Sequence, residues 1–143
     1  MNQITDHLWL GNSGDPHAMM GAGVTYLLDL RAECPPPRFP VPVEHIRIED
    51  LVDGQEELIF SAGQRVAELI GAGHVVGIYC QSGVSRTPAV AICYLMLEGA
   101  TLTDATAFVR AARPAAMPAL GLYRSLEAIE AGLAADEPKY ARG

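Results

Sequence analysis

Two nearly continuous apolar runs of strand length constrain the fold of this chain more than any other feature. They are Val24–Leu30 and His74–Cys80, both rich in β-branched or aromatic residues and flanked by glycine. Because strands of a parallel sheet are buried on both faces, such runs predict buried parallel strands. Glu44–Ile48 instead alternates, with Ile46 and Ile48 on one face, as expected of an outer strand.

A helix is predicted between the strands at Glu44–Ile48 and His74–Cys80. Within Glu56–Ala72 the apolar residues follow helical spacing: Ile59, Ala62, Val66, Leu69 and Ile70. Strand, helix and strand at this length form a βαβ crossover. We therefore expect an α/β fold, with a mostly parallel central sheet flanked by helices. Residues 1–143 fit a single domain, since typical domains contain about 100–150 residues.

Further helices are predicted in the second half of the chain. A buried helix follows Pro88 and ends at Gly99, because glycine is a common helix stop. Thr103 is a plausible N-cap of the next helix, which Pro114 closes. A last helix covers roughly residues 122–133.

Three other segments have a distinct local character. Asp15 and Pro16 suit an N-cap and the first position of a short helix. The proline-rich segment Cys34–Pro42 is expected to form a stiff, extended loop. From about residue 134 the chain is polar, and we expect this tail to fray.

Composition and charge disfavour several classes of function. The formal net charge is −7, which argues against nucleic acid or an anionic membrane as the main partner. No run of about 20 apolar residues predicts a transmembrane helix, and the first residues do not resemble a signal peptide. The cysteines Cys34, Cys80 and Cys93 are odd in number and widely spaced. They predict no disulfide framework, and a reducing cytosol fits best.

No metal or cofactor site is expected from the histidines. His7, His17, His45 and His74 have no metal-ligand spacing with each other or with cysteine. They are interpreted as structural or exposed residues.

The stretch YCQSGVSRTP, residues 79–88, joins a predicted central strand to the predicted buried helix. In open α/β sheets, ligands bind at the carboxyl ends of strands, where loops lead into helices. Gly83 permits a positive φ and close backbone approach, and Pro88 is tolerated in the first helical turn. Several backbone N–H groups should therefore face one concavity at a helix N-terminus, which favours an anion.

Cys80 and Arg86 suit this anion site chemically. A helix N-terminus and a nearby cation favour the nucleophilic thiolate of Cys80, and the planar guanidinium of Arg86 can bind two phosphate oxygens. Phosphate-binding N–H groups are expected from the intervening residues Gln81, Ser82, Gly83, Val84 and Ser85. The pattern predicts phosphoryl transfer to Cys80 and hydrolysis of the thiophosphate. The simpler alternative is a buried structural cysteine before an ordinary helix, which the order of strand, glycine loop, Arg-Thr, proline and apolar helix disfavours.

These residues resemble a known family. CQSGVSRT is similar to the Cys-x5-Arg-Ser/Thr signature loop of the protein tyrosine phosphatase superfamily, and its Gly-Val-Ser-Arg core to the dual-specificity branch. ITDHLWLGN resembles the opening strands of that branch, AVAICYLM its helix after the loop, and ATAFVRAARPAAMP its later Arg-Pro segment. The similarity covers about Ile4 to Glu130. It implies an α/β fold, no metal or other cofactor, and a cysteinyl-phosphate intermediate.

Two positions depart from the family pattern. Tyr79 stands where the family usually has histidine, directly before the cysteine. Ala119 follows Pro118 where the family usually has asparagine. Because both family residues normally support the signature loop, these departures concern the rigidity of the loop and the ionisation of its thiol, rather than the type of reaction.

Cleavage of a phosphoester also needs an acid to protonate the leaving oxygen. The family takes an aspartate from a loop upstream of the cysteine, and here Glu49, Asp50 and Asp53 are candidates. By resemblance Asp50 is favoured over Asp53, although each could be a solvated loop carboxylate. The resemblance gives Thr87 a hydroxyl role near the cysteine sulfur, and its alternative role is a helix N-cap. Arg113, at a helix C-terminus, could face the active site, but a surface position is favoured.

The expected function is therefore cysteine-dependent hydrolysis of phosphomonoesters, on phosphotyrosine and phosphoserine or phosphothreonine in proteins. Catalysis is assigned to Cys80, Arg86, Asp50 and Thr87, in a cytoplasmic monomer without cofactor, nucleic acid or membrane partner. One alternative is a phosphatase of a small, non-protein phosphoester. Another is a catalytically weak phospho-binding module, which the presence of cysteine, arginine and acid disfavours. Arsenate reductases carry the loop near the N-terminus, and rhodanese-like chains lack the upstream acid loop, so both fit less well.

Overall fold

Residues 1–135 are described by the structure, which is a computed structural model. Within them the chain forms five strands and five helices. The strands are β1 (Asn2–Thr5), β2 (Leu8–Asn12), β3 (Tyr26–Arg31), β4 (Val43–Ile48) and β5 (Val76–Cys80). The helices are α1 (Pro16–Gly21), α2 (Glu56–Gly71), α3 (Arg86–Leu97), α4 (Leu102–Ala112) and α5 (Leu120–Ala135).

The strands form one sheet in the order β1-β2-β5-β3-β4. Strands β2, β5, β3 and β4 are parallel, and only β1 among the described strands is antiparallel to its neighbour. The central β5 is buried along its whole length, whereas β4 lies at an edge and is half-buried. The mostly parallel α/β sheet expected from the apolar runs is therefore confirmed.

Alternation along the strands divides the core into two parts. Ile78 and Cys80 of β5 belong to the larger cluster, which packs under α2, α3, α4 and α5. Tyr79 points to the other face, where it packs with Met19 of α1 and Leu27 of β3. Because successive strand residues face opposite sides of the sheet, Tyr79 lies in the smaller cluster, whereas its neighbours Ile78 and Cys80 lie in the larger one.

Helix α3 is the central helix of the larger layer. Eleven of its 12 residues are buried, and it contacts α2, α4 and α5. It begins at Arg86, so the loop that follows β5 ends directly at a helix N-terminus. This agrees with the buried helix predicted after the signature loop.

The N-cap of α4 differs from the sequence expectation. Thr101, and not Thr103, caps the helix: its side chain accepts a hydrogen bond from the N–H of Asp104 at 3.1 Å. Thr101 has extended backbone angles, as an N-cap does, and Asp104 lies favourably in the first turn. The helix ends at Ala112, before the Arg-Pro pair, as expected.

Two other boundaries also differ from the sequence expectation. Helix α5 begins before residue 122 and continues beyond residue 133. Most of the polar tail expected from about residue 134 lies outside the described residues. Asp15 is the N-cap of α1 with Pro16 after it, but its side chain accepts from the N–H of Asn12 at 2.9 Å instead of capping the helix.

Candidate active site

Cys80 is the last residue of β5, and its side chain is buried. The signature loop, residues 81–85, connects it to Arg86 at the start of α3. Gly83 has a φ of +71°, and a Cβ there would lie 2.6 Å from the carbonyl oxygen of Gly11 and 2.5 Å from the guanidinium of Arg113. Only glycine combines this backbone conformation with this close approach. The structure thus brings Cys80, the loop and the helix N-terminus together as the sequence predicts.

Arg86 is held by a carboxylate that sequence reasoning missed. Only 5% of Arg86 is exposed, and its Nη1 and Nη2 donate to Oε1 and Oε2 of Glu33 at 2.5 and 2.8 Å. Nη1 also donates to the carbonyl oxygen of Ile48 at 3.2 Å. Its Nε is buried and finds no hydrogen-bond partner within residues 1–135. Glu33 therefore fixes one edge of the guanidinium and leaves the Nε–H available to an oxyanion.

Several charged or ionisable groups converge on this guanidinium. Hydrogen bonds from Arg86 lower the pKa of Glu33 to about 2. The pKa of Arg86 is raised, first by its hydrogen bonds to Glu33, against the opposing effect of burial. Smaller Coulomb contributions to the same increase come from Cys80 and Asp50. The predicted nucleophile and the predicted acid therefore both lie within electrostatic reach of Arg86.

The three candidate acids lie in different surroundings. Asp50 is part of the acid loop, residues 49–55, and its Oδ1 accepts a hydrogen bond from Ser85 of the signature loop at 2.7 Å. Asp53 is exposed and lies 3.5 Å from Arg124 of α5. Glu49 is exposed. Of the three, Asp50 is the one whose carboxylate the structure bonds to the signature loop.

Gln55 organises the acid loop and was also missed from the sequence. It is 8% exposed, and its Nε2 donates to the carbonyl oxygens of Glu49 at 2.6 Å and Val52 at 3.0 Å. Its Oε1 accepts from the N–H of Glu49 at 2.8 Å. The buried amide side chain of Gln55 thus links the two ends of the acid loop by hydrogen bonds. The residue types in the loop do not indicate these contacts.

Thr87 is fully buried in the first turn of α3. Its Oγ1 has no hydrogen-bond partner among the described residues, and Ser85, not Thr87, is the N-cap of the helix. The alternative role of Thr87 as a helix cap is therefore not observed. Its hydroxyl remains available for a group that enters the site.

Arg113 supports the signature loop from beneath, so the surface position expected for it is wrong. It is 8% exposed, and its Nε donates to the carbonyl oxygen of Gly83 at 2.8 Å. Nη2 lies 3.5 Å from the carbonyl oxygen of Ser82, and Nη1 donates to Oδ1 of Asn2 at 2.7 Å. Helix α4 ends at Ala112, and Arg113, its C-cap, has a non-helical backbone, which lets its side chain lie against the signature loop. Because C=O and N–H of a trans peptide point in opposite directions, these bonds direct the following amides away from Arg113.

The segment before α5 holds the loop by its backbone. The N–H of Met117 donates to the carbonyl oxygen of Val84 at 2.7 Å. The N–H of Ala119 donates to Oγ of Ser85 at 2.8 Å. At the position where the resemblance would place an asparagine side chain, this chain therefore uses the main chain of Ala119.

A buried ion pair lies behind the loop, next to Tyr79. Arg31 donates to both carboxylate oxygens of Asp29, at 3.1 and 2.8 Å, and its guanidinium lies 5.5 Å from the centre of the Tyr79 ring. Its Nη1 is 3.5 Å from Oε1 of Gln81 in the signature loop. Burial, and then the charge of Asp29, raise the pKa of Tyr79, so its hydroxyl stays neutral. Asp29 and Arg31 were not singled out from the sequence, because Asp29 lies inside an apolar run and Arg31 directly follows it.

The described part of the chain contains neither a clustered metal site nor a membrane span. Within residues 1–135 there is no group of three or more His, Cys, Asp or Glu side chains that could hold a metal ion. No helix in the same range is long and apolar enough to cross a membrane. Two histidines make structural contacts: His45 Nε2 lies 2.5 Å from the carbonyl oxygen of Arg31, and His74 Nδ1 lies 3.0 Å from Oγ1 of Thr25.

Comparison with known proteins gives consistent matches. The family model described as the catalytic domain of dual specificity phosphatases matches residues 8–131. Human dual specificity phosphatase 28 is 31% identical over 140 residues, which cover 93% of this chain and 79% of the relative. The mouse protein of the same name is also 31% identical, with 93% and 85% covered.

Solved structures agree with the sequence relatives. The crystal structure of human DUSP28 superposes with a TM-score of 0.86 at 27% identity, covering 95% of this chain and 99% of that one. A mouse putative dual specificity phosphatase, complexed with zinc tungstate, gives 0.85 at 27% identity, with 95% and 89% covered. Sequence, fold and family model thus agree over nearly the whole described chain. The chain therefore belongs to the dual specificity phosphatases, and it is a cysteine-dependent protein phosphatase.

Proposed function

We propose that this phosphatase uses Cys80 as its nucleophile, Asp50 as its general acid, and Arg86 with the amides of residues 81–85 as its phosphate-binding group. The observation that supports this most directly is the hydrogen bond of 2.7 Å from Ser85 to Asp50, which joins the acid loop to the loop between Cys80 and the buried Arg86. Nucleophile, cation and acid then surround one position at the carboxyl ends of the strands, where α/β sheets bind ligands.

In the first step, the Cys80 thiolate attacks phosphorus, an S–P bond forms and the P–O bond to the leaving group breaks. Asp50 gives its proton to the leaving oxygen as that bond breaks. Arg86 and the loop amides stabilise the charge on the three equatorial oxygens. In the second step, Asp50 takes a proton from water, which attacks phosphorus and releases the thiolate. The unpartnered hydroxyl of Thr87 is proposed to stabilise that thiolate.

The proposed substrates are phosphotyrosine and phosphoserine or phosphothreonine in proteins. The dual specificity family supports this range. Three cysteines without a disulfide among residues 1–135 support a reducing compartment, and we propose a cytoplasmic monomer. Gel filtration and cell fractionation test these last two points.

The mechanism is tested by hydrolysis of an aryl phosphate in the presence of a chelator. Wild type should be active, and Cys80→Ser should be inactive although it still binds tungstate, a tetrahedral oxyanion like phosphate. Tungstate is a suitable probe because the similar mouse phosphatase forms a complex with zinc tungstate. Cys34→Ser is the matched control, because Cys34 is half-buried in the loop after β3. Full activity of Cys80→Ser, or no activity of the wild type with tungstate still bound, would contradict the mechanism.

A further inference from the structure

Ser85 lies at the junction of three parts of the site. It is the last residue of the signature loop and the N-cap of α3, and 7% of it is exposed. Its Oγ donates to Oδ1 of Asp50 at 2.7 Å and accepts from the N–H of Ala119 at 2.8 Å. One hydroxyl therefore links the signature loop, the acid loop and the segment before α5.

The direction of these two hydrogen bonds is determined by the chemistry of the groups. A backbone amide can only donate, so the N–H of Ala119 must use a lone pair of the Ser85 oxygen. The hydroxyl carries a single proton, which is left for Asp50. Ser85 is thus an obligate donor to Oδ1 of Asp50, whether the carboxyl group is ionised or protonated.

The same carboxylate oxygen of Asp50 accepts a second hydrogen bond. The N–H of Leu51 lies 3.2 Å from Oδ1 of Asp50. Leu51 has a φ of +62°, which is an uncommon conformation for a residue with a large side chain. Because both donors face Oδ1, that atom acts as the acceptor and the acidic proton belongs on Oδ2.

Apart from accepting the hydrogen bond from Ala119, the Ser85 side chain has no other role among the described contacts. Its hydroxyl makes no capping hydrogen bond to α3, although Ser85 occupies the N-cap. A part in phosphate binding would use its backbone N–H, which is independent of the side chain. The contact with Asp50 is therefore the distinctive function of the hydroxyl.

We propose that Ser85 is a positioning residue for the general acid: its hydroxyl holds Asp50 against the signature loop and leaves the transferable proton on Oδ2. This rests on the role of Asp50 proposed above. Ser85 transfers no proton itself. As the P–O bond breaks, its electron pair stays on the leaving oxygen, which takes the proton from Oδ2 of Asp50.

The first test removes the hydroxyl and keeps the backbone. Ser85→Ala should lower kcat/KM on phenyl phosphate, which reports only the steps up to formation of the thiophosphate, by about tenfold, since the leaving group needs a proton and the hydrogen bond that positions Asp50 is lost. On 2,4-dinitrophenyl phosphate the change should be about twofold or less, because this leaving group departs without a proton. The inhibition constant of tungstate should change little, which also shows that the variant is folded.

Ser85→Thr and Ser85→Val provide a matched pair of the same shape. The threonine variant keeps a hydroxyl and should retain the higher rate on phenyl phosphate, whereas the valine variant should lose it. Equal rates for the two variants would overturn the proposal. So would a loss in Ser85→Ala that is the same for both aryl phosphates, because that pattern indicates a general effect on the loop.

A double variant separates this proposal from the one on which it rests. Asp50→Asn alone should show the leaving-group-dependent loss, and adding Ser85→Ala should not increase that dependence. An additive increase would overturn the positioning role and leave Asp50 as the acid. If Asp50→Asn shows no leaving-group dependence, the acid assignment fails, and the role of Ser85 fails with it.

Discussion

Both carboxylate oxygens of Glu33 accept hydrogen bonds from Arg86, at 2.5 and 2.8 Å. The Nη1 and Nη2 side of the guanidinium is therefore already hydrogen-bonded before any substrate binds. This contact joins the loop after β3 to the first residue of α3. It restricts the rotation of a long side chain that would otherwise lose conformational entropy on binding phosphate.

Glu33→Gln should therefore lower kcat/KM on an aryl phosphate, by less than the roughly tenfold of a fully buried charged hydrogen bond, because the Glu33 side chain is 49% exposed and solvent screens the pair. Steady-state kinetics measure this, and tungstate inhibition should weaken in parallel. Glu127→Gln on the exposed side of α5 is the control and should behave as wild type. An unchanged kcat/KM in Glu33→Gln would contradict the orienting role.

Because Glu33 is paired with Arg86, the difference in stability between wild type and Glu33→Gln should depend on pH. The folded-state pKa of Glu33 is about 2, below its ordinary value of 4.5. Because the folded pKa is depressed, the stabilisation is complete above about pH 4.5 and is lost as the pH falls towards 2. Thermal unfolding of the two proteins should converge across this window. A difference in Tm that stays constant down to pH 2 would contradict the ion pair.

Asp50→Asn should reduce turnover of poor leaving groups by about 10²–10⁴-fold, the usual range for general acid catalysis. The loss should shrink for a leaving group that needs no proton. Asp53→Asn is the matched control and should change little, because Asp53 is exposed and paired with Arg124. A large, leaving-group-dependent loss in Asp53→Asn instead would show that the acid is misassigned. The measurement is kcat/KM over a series of aryl phosphates, because hydrolysis of the thiophosphate, in which Asp50 acts as the base, is common to all of them.

Tyr79→Phe should leave the free energy of unfolding unchanged or raise it by up to about 1 kcal/mol, because the buried hydroxyl has no partner among the described residues. Tyr26→Phe is the comparison, since the hydroxyl of Tyr26 donates to Glu44 at 3.2 Å and its loss should destabilise. Chemical denaturation measures both. Destabilisation of Tyr79→Phe beyond that of Tyr26→Phe would show that the Tyr79 hydroxyl is bonded in solution.

Oxidation by peroxide should inactivate the enzyme at Cys80 without a disulfide to Cys93. Burial raises the pKa of Cys93 to about 12, so it forms little thiolate at neutral pH. Cys93 also lies seven residues after the start of α3, roughly 10 Å by helical rise from the N-terminus of the helix that the signature loop enters. Thiol reagents should restore activity if a sulfenic acid formed. Mass spectrometry that identifies a Cys80–Cys93 bridge would overturn this expectation.

Phosphotyrosine peptides should be hydrolysed, phosphothreonine peptides more slowly, and polyphosphorylated inositides little. The loop from Gln81 to Ser85 has no lysine or arginine. Arg31 and Arg113, which pack against it, are engaged by Asp29 and by loop carbonyls, so extra phosphates would lack a counter-charge. Parallel rate measurements with one enzyme preparation test the order. A preference for the inositide over the phosphotyrosine peptide would be inconsistent with it.

The sheet and the central helix could be predicted because their signals are local. Apolar runs and helical spacing within short windows determine β3, β5, α2 and α3. Glu33 could not be found this way, since it lies in the loop just before the proline-rich segment and its partner is 53 residues away. Its position directly after a strand beside β5 was the one available signal, because parallel strands end at the same edge of a sheet.

Errors arose where tertiary contacts decide between similar local options. Thr101 and Thr103 are both good N-caps by residue type, and in the structure it is Thr101 that has the extended backbone and accepts from Asp104. By its position in the sequence Arg113 suits a helix C-terminus, but in the structure it is buried and its Nε donates to the carbonyl oxygen of Gly83. Asp50 and Asp53 were separated only by family resemblance, and contact with Ser85 is a three-dimensional property.

The bond between Asn2 and Arg113 joins residues that are 111 positions apart. Because closing such a long loop is slow relative to local helix formation, we expect the catalytic loop to gain its support late in folding. In a refolding experiment, recovery of enzymatic turnover should then lag behind the return of helical circular dichroism. During synthesis, Cys80 and its loop would leave the ribosome before Arg113 does. Phosphatase activity would therefore appear only after Arg113 has been made and has bonded to the loop.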